Sequence, residues 1–337
     1  MNIHKITEES LKKAADILRN GGIVAFPTET VYGLGADAFN PDAVAKVFEI
    51  KNRPHFDPLI IHIASIDSLE VTADLALLNE KVRIKLFLLA ENFWPGPLSI
   101  ILPKNKKIPN LVTAGLSTAA IRFPDHEAAQ NLISLSGGAV AAPSANLFGS
   151  LSPTKAEHVQ SGIGEKADMI LDDGPAKIGI ESTVLDISGE NVKILRPGGT
   201  PKEAIEKLIG PLQVSNDEQS VVLSPGQLKS HYAPKTALSV FSGEDLLHQP
   251  YKNEYAYLFF DGAARDNWIS LQMPPENAVI KVLSESGQML EAASRLFEIL
   301  HELDNCSILR IYAQLVPSIG LGNAINDRLL RGSYNFK

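Results

Sequence analysis

Short apolar runs alternate with helix-spaced segments along residues 1–210, and this alternation narrows the fold more than any other feature of the chain. Leu11, Ala14, Ala15 and Leu18 mark one helical face, with Thr7 as N-cap and Gly21-Gly22 as stop. Val44, Val47 and Phe48 repeat that spacing behind Pro41, a residue suited to the first helical position. Further helices are predicted over 78–92, 125–136, 154–160 and 201–209. Strands are predicted over 23–26, 59–63, 98–102, 119–123, 138–142, 169–172, 183–187 and 193–195. The strands are short and apolar, as burial on at least one face requires, and the interleaving is irregular. The reading is an α/β fold: one large domain over 1–210 with a twisted, mixed sheet.

Residues 211–235 break the pattern with polar, turn-rich sequence and read as a linker. Beyond them, strands are predicted over 237–241, 255–260, 279–282 and 307–312, with a helix over 285–302. That makes a small Rossmann-like α/β domain over 236–337. The 337 residues are 45% apolar and 21% charged, enough to build sizeable cores. The net charge of −8 disfavours tight, non-specific nucleic-acid binding. Apolar runs such as LSIILP and YAYLFF fall far short of the roughly 20 residues of a membrane span, and the N-terminus lacks an apolar leader. The expected location is the cytoplasm, with no membrane partner. The single cysteine, Cys306, lies in a late apolar stretch and is expected to be a small packed side chain.

No Walker loop, H-E-x-x-H or G-x-S-x-G occurs, and Gly33-Leu34-Gly35 lacks the third glycine of a dinucleotide fingerprint. Four other segments place polar groups at strand ends. PTETVYGLG (27–35) offers hydroxyls, and its glycines would admit close backbone approach to a ligand; a tight turn explains them equally well. In KNRPHFDPLIIHI (51–63), Lys51 and Arg53 sit at a helix end beside a proline-stiffened loop, a pair suited to phosphates or merely to the helix dipole. His62 sits in an apolar run, where a satisfied core histidine is the ordinary reading. Arg122 lies inside an apolar strand and requires a carbonyl or anionic partner; a ligand carboxylate or an internal acid would serve equally. Ser144 and Asn146 of PSAN lie at a strand's carboxyl end, and Ser152-Pro153-Thr154 reads as a helix start that favours anions. Ser182 opens another strand, and Arg196 precedes a Pro-Gly-Gly turn. Four cations and clustered hydroxyls in an acidic domain point to a site for an anionic small molecule.

Taken together, PTETVYGLG (27–35), K-x-R-P-x-x-x-P-L-I-x-H (51–62), TAGLSTAAIRFPDH (113–126), PSAN (143–146), SPTKAEHV (152–159), ESTVLDI (181–187) and ILRPGG (194–199) resemble the threonylcarbamoyl-AMP synthases. SPGQLKSHYAP (224–234) and GLGNAINDRL (320–329) resemble the two-domain branch, so the likeness spans nearly the whole chain. The resemblance implies a YrdC-type catalytic domain that condenses L-threonine, bicarbonate or CO2, and ATP into threonylcarbamoyl-adenylate and pyrophosphate. By this resemblance Thr30, His62, Arg122, Ala142 and Ser182 form the threonine pocket. ATP is expected to meet Lys51, Arg53, Asp57, Thr118, Ser144, Asn146, Ser152, Arg196, His231 and Tyr232, with Lys51 and Arg53 stabilising the charge that builds on the phosphates. The linker would act as a lid. Mg2+ is expected on the ATP phosphates rather than in a protein cage, with no organic prosthetic group. Separate tRNA-modifying transferases would use the product, with tRNA binding by this chain weak at most. The alternatives are a non-catalytic RNA-binding module and a related carbamoyl-transfer enzyme.

Overall fold

The computed structural model describes residues 2–189, 192–214, 225, 226, 228 and 230–334. It divides into two compact units, one of Met1–Phe148, Pro153–Lys177 and Glu181–Gln227, the other of Gly149–Ser152, Ile178–Ile180 and Leu228–Lys337. Ser224, Gln227 and Lys229 of the expected linker, and 215–223, lie outside the described residues.

The first unit is built on β1 (Ile3–Lys5), β2 (Val24–Phe26), β3 (Gly33–Asp37), β4 (Ile60–Ile63), β5 (Leu98–Pro103), β6 (Thr118–Arg122), β7 (Ala139–Ala141), β8 (Met169–Asp172), β9 (Thr183–Asp186), β10 (Lys193–Arg196) and β11 (Gln213–Val214). They form one mixed sheet in the order β1-β8-β2-β3-β7-β4-β6-β5-β9-β10-β11. Strand alternation gives the sheet two different faces. Ile61, Ile63, Ile100, Ile121 and Leu185 point into the large core beneath the helices. Their neighbours Ile60, Ile101, Ala120 and Val184 form a small apolar patch with Leu195.

The helix Glu8–Arg19 starts on a capping box between Thr7 and Ser10 and buries the predicted Leu11–Ala14–Ala15–Leu18 face. The helix Pro41–Lys51 starts on Asn40 and ends on Asn52, whose φ of 50° turns the chain sharply after Lys51.

β3 is a correction: its residues read as a loop, yet they pair antiparallel with β2 and β7. The two glycines are there for packing. A Cβ at Gly35 would lie 2.8 Å from both the Phe26 ring and Val140, and one at Gly33 would lie 3.2 Å from that ring. The helix expected to open at Thr154 instead spans Ala156–Ile163, with Lys155 as an N-cap that makes no side-chain cap bond.

The second unit holds β12 (Ala237–Phe241), β13 (Tyr255–Asp261), β14 (Val279–Ser284) and β15 (Arg310–Gln314), all parallel, in the order β12-β15-β13-β14. Its core gathers Leu246, Tyr257, Phe259, Trp268, Val282 and Tyr312. Cys306 is exposed, contrary to expectation. It falls just after the helix Met289–Asp304, where the chain turns and its thiol donates to Glu302 O. Among the described residues no helix is long and apolar enough to cross a membrane.

Candidate functional site

A single register row crosses the middle of the large sheet. His62 on β4 faces Val140 on β7 and Arg122 on β6; Arg122 faces Ser99 on β5; Ser99 faces Val184 on β9; and Val184 faces Arg196 on β10 across a bulge. Residues directly opposite in a sheet share a face, so His62, Arg122 and Ser99 project together beside the small apolar patch. Three isolated polar residues in apolar strands thus become one constellation.

Arg122 holds both kinds of partner that its position demanded. Its Nε donates to Gly96 O at 3.4 Å, and its Nη2 lies 2.7 Å from Glu29 Oε1 with both side chains buried. That ion pair is close but not aligned as a hydrogen bond: neither Glu29 oxygen and not Arg122 Nη2 has an aligned partner among the described residues. Beside it, burial and the positive charge of Arg122 push His62 down to about 3, so the imidazole is neutral at ordinary pH. Its ring stands edge-on to Phe26, and its Nδ1 makes no hydrogen bond among the described residues.

Two serines link this end to Arg196. Ser99 Oγ and Ser182 Oγ are 2.8 Å apart. The Arg196 guanidinium donates to Ser182 O at 2.9 and 3.1 Å, to Ser182 Oγ at 3.1 Å and to Pro225 O at 3.2 Å. The Pro-Gly-Gly turn behind Arg196 needs its glycine, because a Cβ on Gly198 would lie 2.3 Å from the Ser182 carbonyl carbon.

Lys51 and Arg53 are built differently, from backbone oxygen. The Lys51 ammonium donates to the carbonyls of Ser144, at 2.5 Å, and Asn146. PSAN is therefore a carbonyl cradle for this lysine, and Lys51 O returns the contact by accepting from Phe148 N. Burial, and then the charge of Arg53, push the Lys51 amine well below its ordinary value. Arg53 donates to Asp57 O at 3.0 Å and Pro58 O at 2.8 Å, pairs with the Asp57 carboxylate at 2.9 Å and lies over the Phe148 ring. Burial raises Asp57, while Arg53, Lys51 and Arg196 pull it down, so these four charges form one electrostatic group.

Thr30 is fully buried beside Glu29, in a turn tied by Thr28 Oγ1 to Thr30 Oγ1 at 2.8 Å and to Val31 O at 2.6 Å. Ala142 spends its N–H on Ile60 O. Thr118 stands at the far end of β6 from Arg122, about 13 Å along the strand. Ser152, His231 and Tyr232 belong to the second unit. There Ser152 O meets His301 Nε2 at 3.1 Å. Tyr232, at φ 63°, is buried with its ring 4.1 Å from that of His231 and beneath the Arg328 guanidinium.

Sequence reading missed Glu29 and Ser99. Glu29 was masked by the threonines on either side of it. The lone hydroxyl in LSIILP was the available signal for Ser99.

Residues 16–198 match the protein family described as "Telomere recombination", and residues 200–333 match "Threonylcarbamoyl-AMP synthase, C-terminal domain". A Pyrococcus abyssi threonylcarbamoyl-AMP synthase is 39% identical over 98% of this chain and 95% of its own length. A Bacillus subtilis one is 41% identical over 97% of this chain and 93% of its own. The crystal structure of a P. abyssi protein complexed with L-threonine superposes with a TM-score of 0.84 at 37% identity, covering 98% of this chain and 96% of that one.

Proposed function

Because the chain belongs to the threonylcarbamoyl-AMP synthase family, we propose that it condenses L-threonine, bicarbonate or CO2, and ATP into threonylcarbamoyl-adenylate and pyrophosphate. The observation that carries this reading onto the residues is the presence of two unlike buried charge clusters in the first unit. Arg122 and Glu29 form a balanced pair, fitted to a molecule that carries one charge of each sign. Lys51, Arg53 and Arg196 act together on Asp57, a gathering of cations fitted to a polyphosphate.

In the proposed reaction Arg122 takes the threonine carboxylate, with the hydroxyls of Thr30 and Ser182 and the neutral His62 imidazole completing the pocket. The amine meets CO2 and becomes a carbamate. A carbamate oxygen then attacks the α-phosphorus of ATP, a new P–O bond forms, and the bond to the β-phosphate breaks to release pyrophosphate. Lys51, Arg53 and Arg196 stabilise the charge that develops on the phosphates, so positioning and electrostatics carry the step. Asp57 acts through Arg53, which it holds in place. ATP would bring its own Mg2+ as part of the substrate.

This makes the protein a nucleotidyltransferase of the cytoplasm, whose product is consumed by separate tRNA-modifying proteins. Incubation with ATP, threonine and bicarbonate, followed by mass spectrometry, is the test. Threonylcarbamoyl-adenylate must form, and must fail to form when threonine is omitted.

A further inference from the structure

We infer that Glu29, beyond anchoring Arg122, is the residue that binds the ammonium of the amino-acid substrate and takes its first proton; this rests on the threonine-dependent reading above. Three observations lead there. The first is unspent hydrogen-bonding capacity. Glu29 is 3% exposed, and both its oxygens lack an aligned hydrogen bond among the described residues. Leaving a buried acceptor unsatisfied is costly, and a three-donor ammonium would fill it.

The second is spacing. An α-amino acid carries its ammonium and carboxylate two bonds from each other. Arg122 Nη2 and Glu29 Oε1 are opposite charges 2.7 Å apart. Arg122 also donates to Gly96 O, and Glu29 sits within the turn that Thr28 Oγ1 ties to Thr30 N, Val31 N and Val31 O. A zwitterion laid alongside the pair sets its carboxylate against Arg122 and its ammonium against Glu29 without changing net charge.

The third is how the buried titratable groups nearest the pair are committed. Asp57, equally buried, is committed to Arg53 and lies within reach of three cations. His62 is neutral and sits against Arg122, where protonation is opposed.

The chemical step balances. The substrate ammonium gives one proton to a Glu29 oxygen, leaving a neutral carboxyl and an amine lone pair. That lone pair forms the C–N bond to CO2 while a C=O π pair moves onto oxygen. The second nitrogen proton leaves to water, giving the carbamate anion.

The test is calorimetry on the full chain with L-threonine and with 3-hydroxybutanoate, which keeps the carboxylate and hydroxyl but lacks the ammonium. Wild type must bind threonine more tightly than 3-hydroxybutanoate. Glu29→Gln should weaken threonine about tenfold or more, the loss of one charge-assisted contact. It should leave 3-hydroxybutanoate unchanged or tighter, because Arg122 loses its internal competitor. Equal weakening of both ligands, or undiminished threonine binding, would overturn the assignment. Glu29→Asp keeps the charge and must keep the preference for threonine, which secures the test if the glutamine variant folds poorly. Failure of wild type to bind threonine at all would instead strike the functional reading itself.

Discussion

The two buried cation clusters of the large unit differ in what satisfies them, and the difference separates two kinds of ligand. Arg122 sits on a central strand and meets one carboxylate and one carbonyl, so its charge is cancelled within the protein. Lys51, Arg53 and Arg196 sit at a helix end, a loop and a bulged strand end, and among the described residues they donate to neutral carbonyl and hydroxyl oxygens, Arg53 also pairing with Asp57. Neutral acceptors orient a cation without cancelling its charge, which leaves positive potential for an anion. A carboxylate partner cancels it, so the occupant must bring both signs.

The comparison breaks first at Arg122. Removing a partner of a buried ion pair strands the other charge, so Arg122→Ala should destabilise the fold by about 3–5 kcal/mol through the isolated Glu29. It should also cost about 2–5 kcal/mol of threonine binding. The double variant Arg122→Ala/Glu29→Gln should recover most of the melting temperature and none of the affinity. Thermal unfolding with calorimetry reads both, and a single variant as stable as wild type would show that Glu29 does not depend on Arg122.

A smaller effect is expected in the other cluster. Lys51→Ala or Arg53→Ala should each cost about 1.5–3 kcal/mol in adenylate formation, the range of one charged contact. Threonine affinity should hold, since Glu29 and Arg122 keep each other. Pyrophosphate release at saturating threonine is the measurement, and wild-type rates would remove these cations from the reaction.

How far the site was legible follows from the same contrast. Arg122 stood out because a lone charge in an apolar strand must have a partner, yet Glu29 lies on a turn remote in sequence and only folding joins them. Lys51 and Arg53 stood out because charge, proline and helix end are all local signals; the carbonyl cradle of PSAN was invisible because backbone acceptors leave no mark in side-chain identity. Gly33 and Gly35 drew attention as places for ligand approach, and ring packing against Phe26 demands the same missing Cβ. The large strands and the first helices were readable from periodicity. The helices Gly262–Gln272 and Gly322–Gly332 were not, because each opens on glycine and the latter buries Asn326 and Arg328 among its apolar residues.

His62 sharpens the comparison through pH. Its folded value of about 3 lies below the ordinary 6.5, so the unfolded chain takes up the proton first. Its contribution to stability is complete above about pH 6.5 and is lost as pH falls toward 3. Between pH 7 and pH 5 this amounts to about 2 kcal/mol. Denaturant unfolding of wild type and His62→Gln at both pH values isolates that share. Equal pH dependence in the two proteins would mean that the imidazole is solvated or already paired with an acid.

The smallest effect distinguishes the clusters most directly. Burial and Arg53 hold the Lys51 amine below its ordinary value, and an arriving phosphate chain supplies the anion that raises it again. At a pH above the depressed value, ATP binding must therefore draw a fraction of a proton from solution, and ATP affinity must fall as pH rises. Calorimetric titrations of ATP in buffers with different ionisation heats report that uptake as a buffer-dependent enthalpy. Lys51→Arg, whose guanidinium stays charged throughout, should abolish the lysine's share of it. A buffer-independent ATP enthalpy in wild type would show that the two carbonyls already keep Lys51 fully protonated. The cluster would then be a fixed positive site, its charge independent of what it binds.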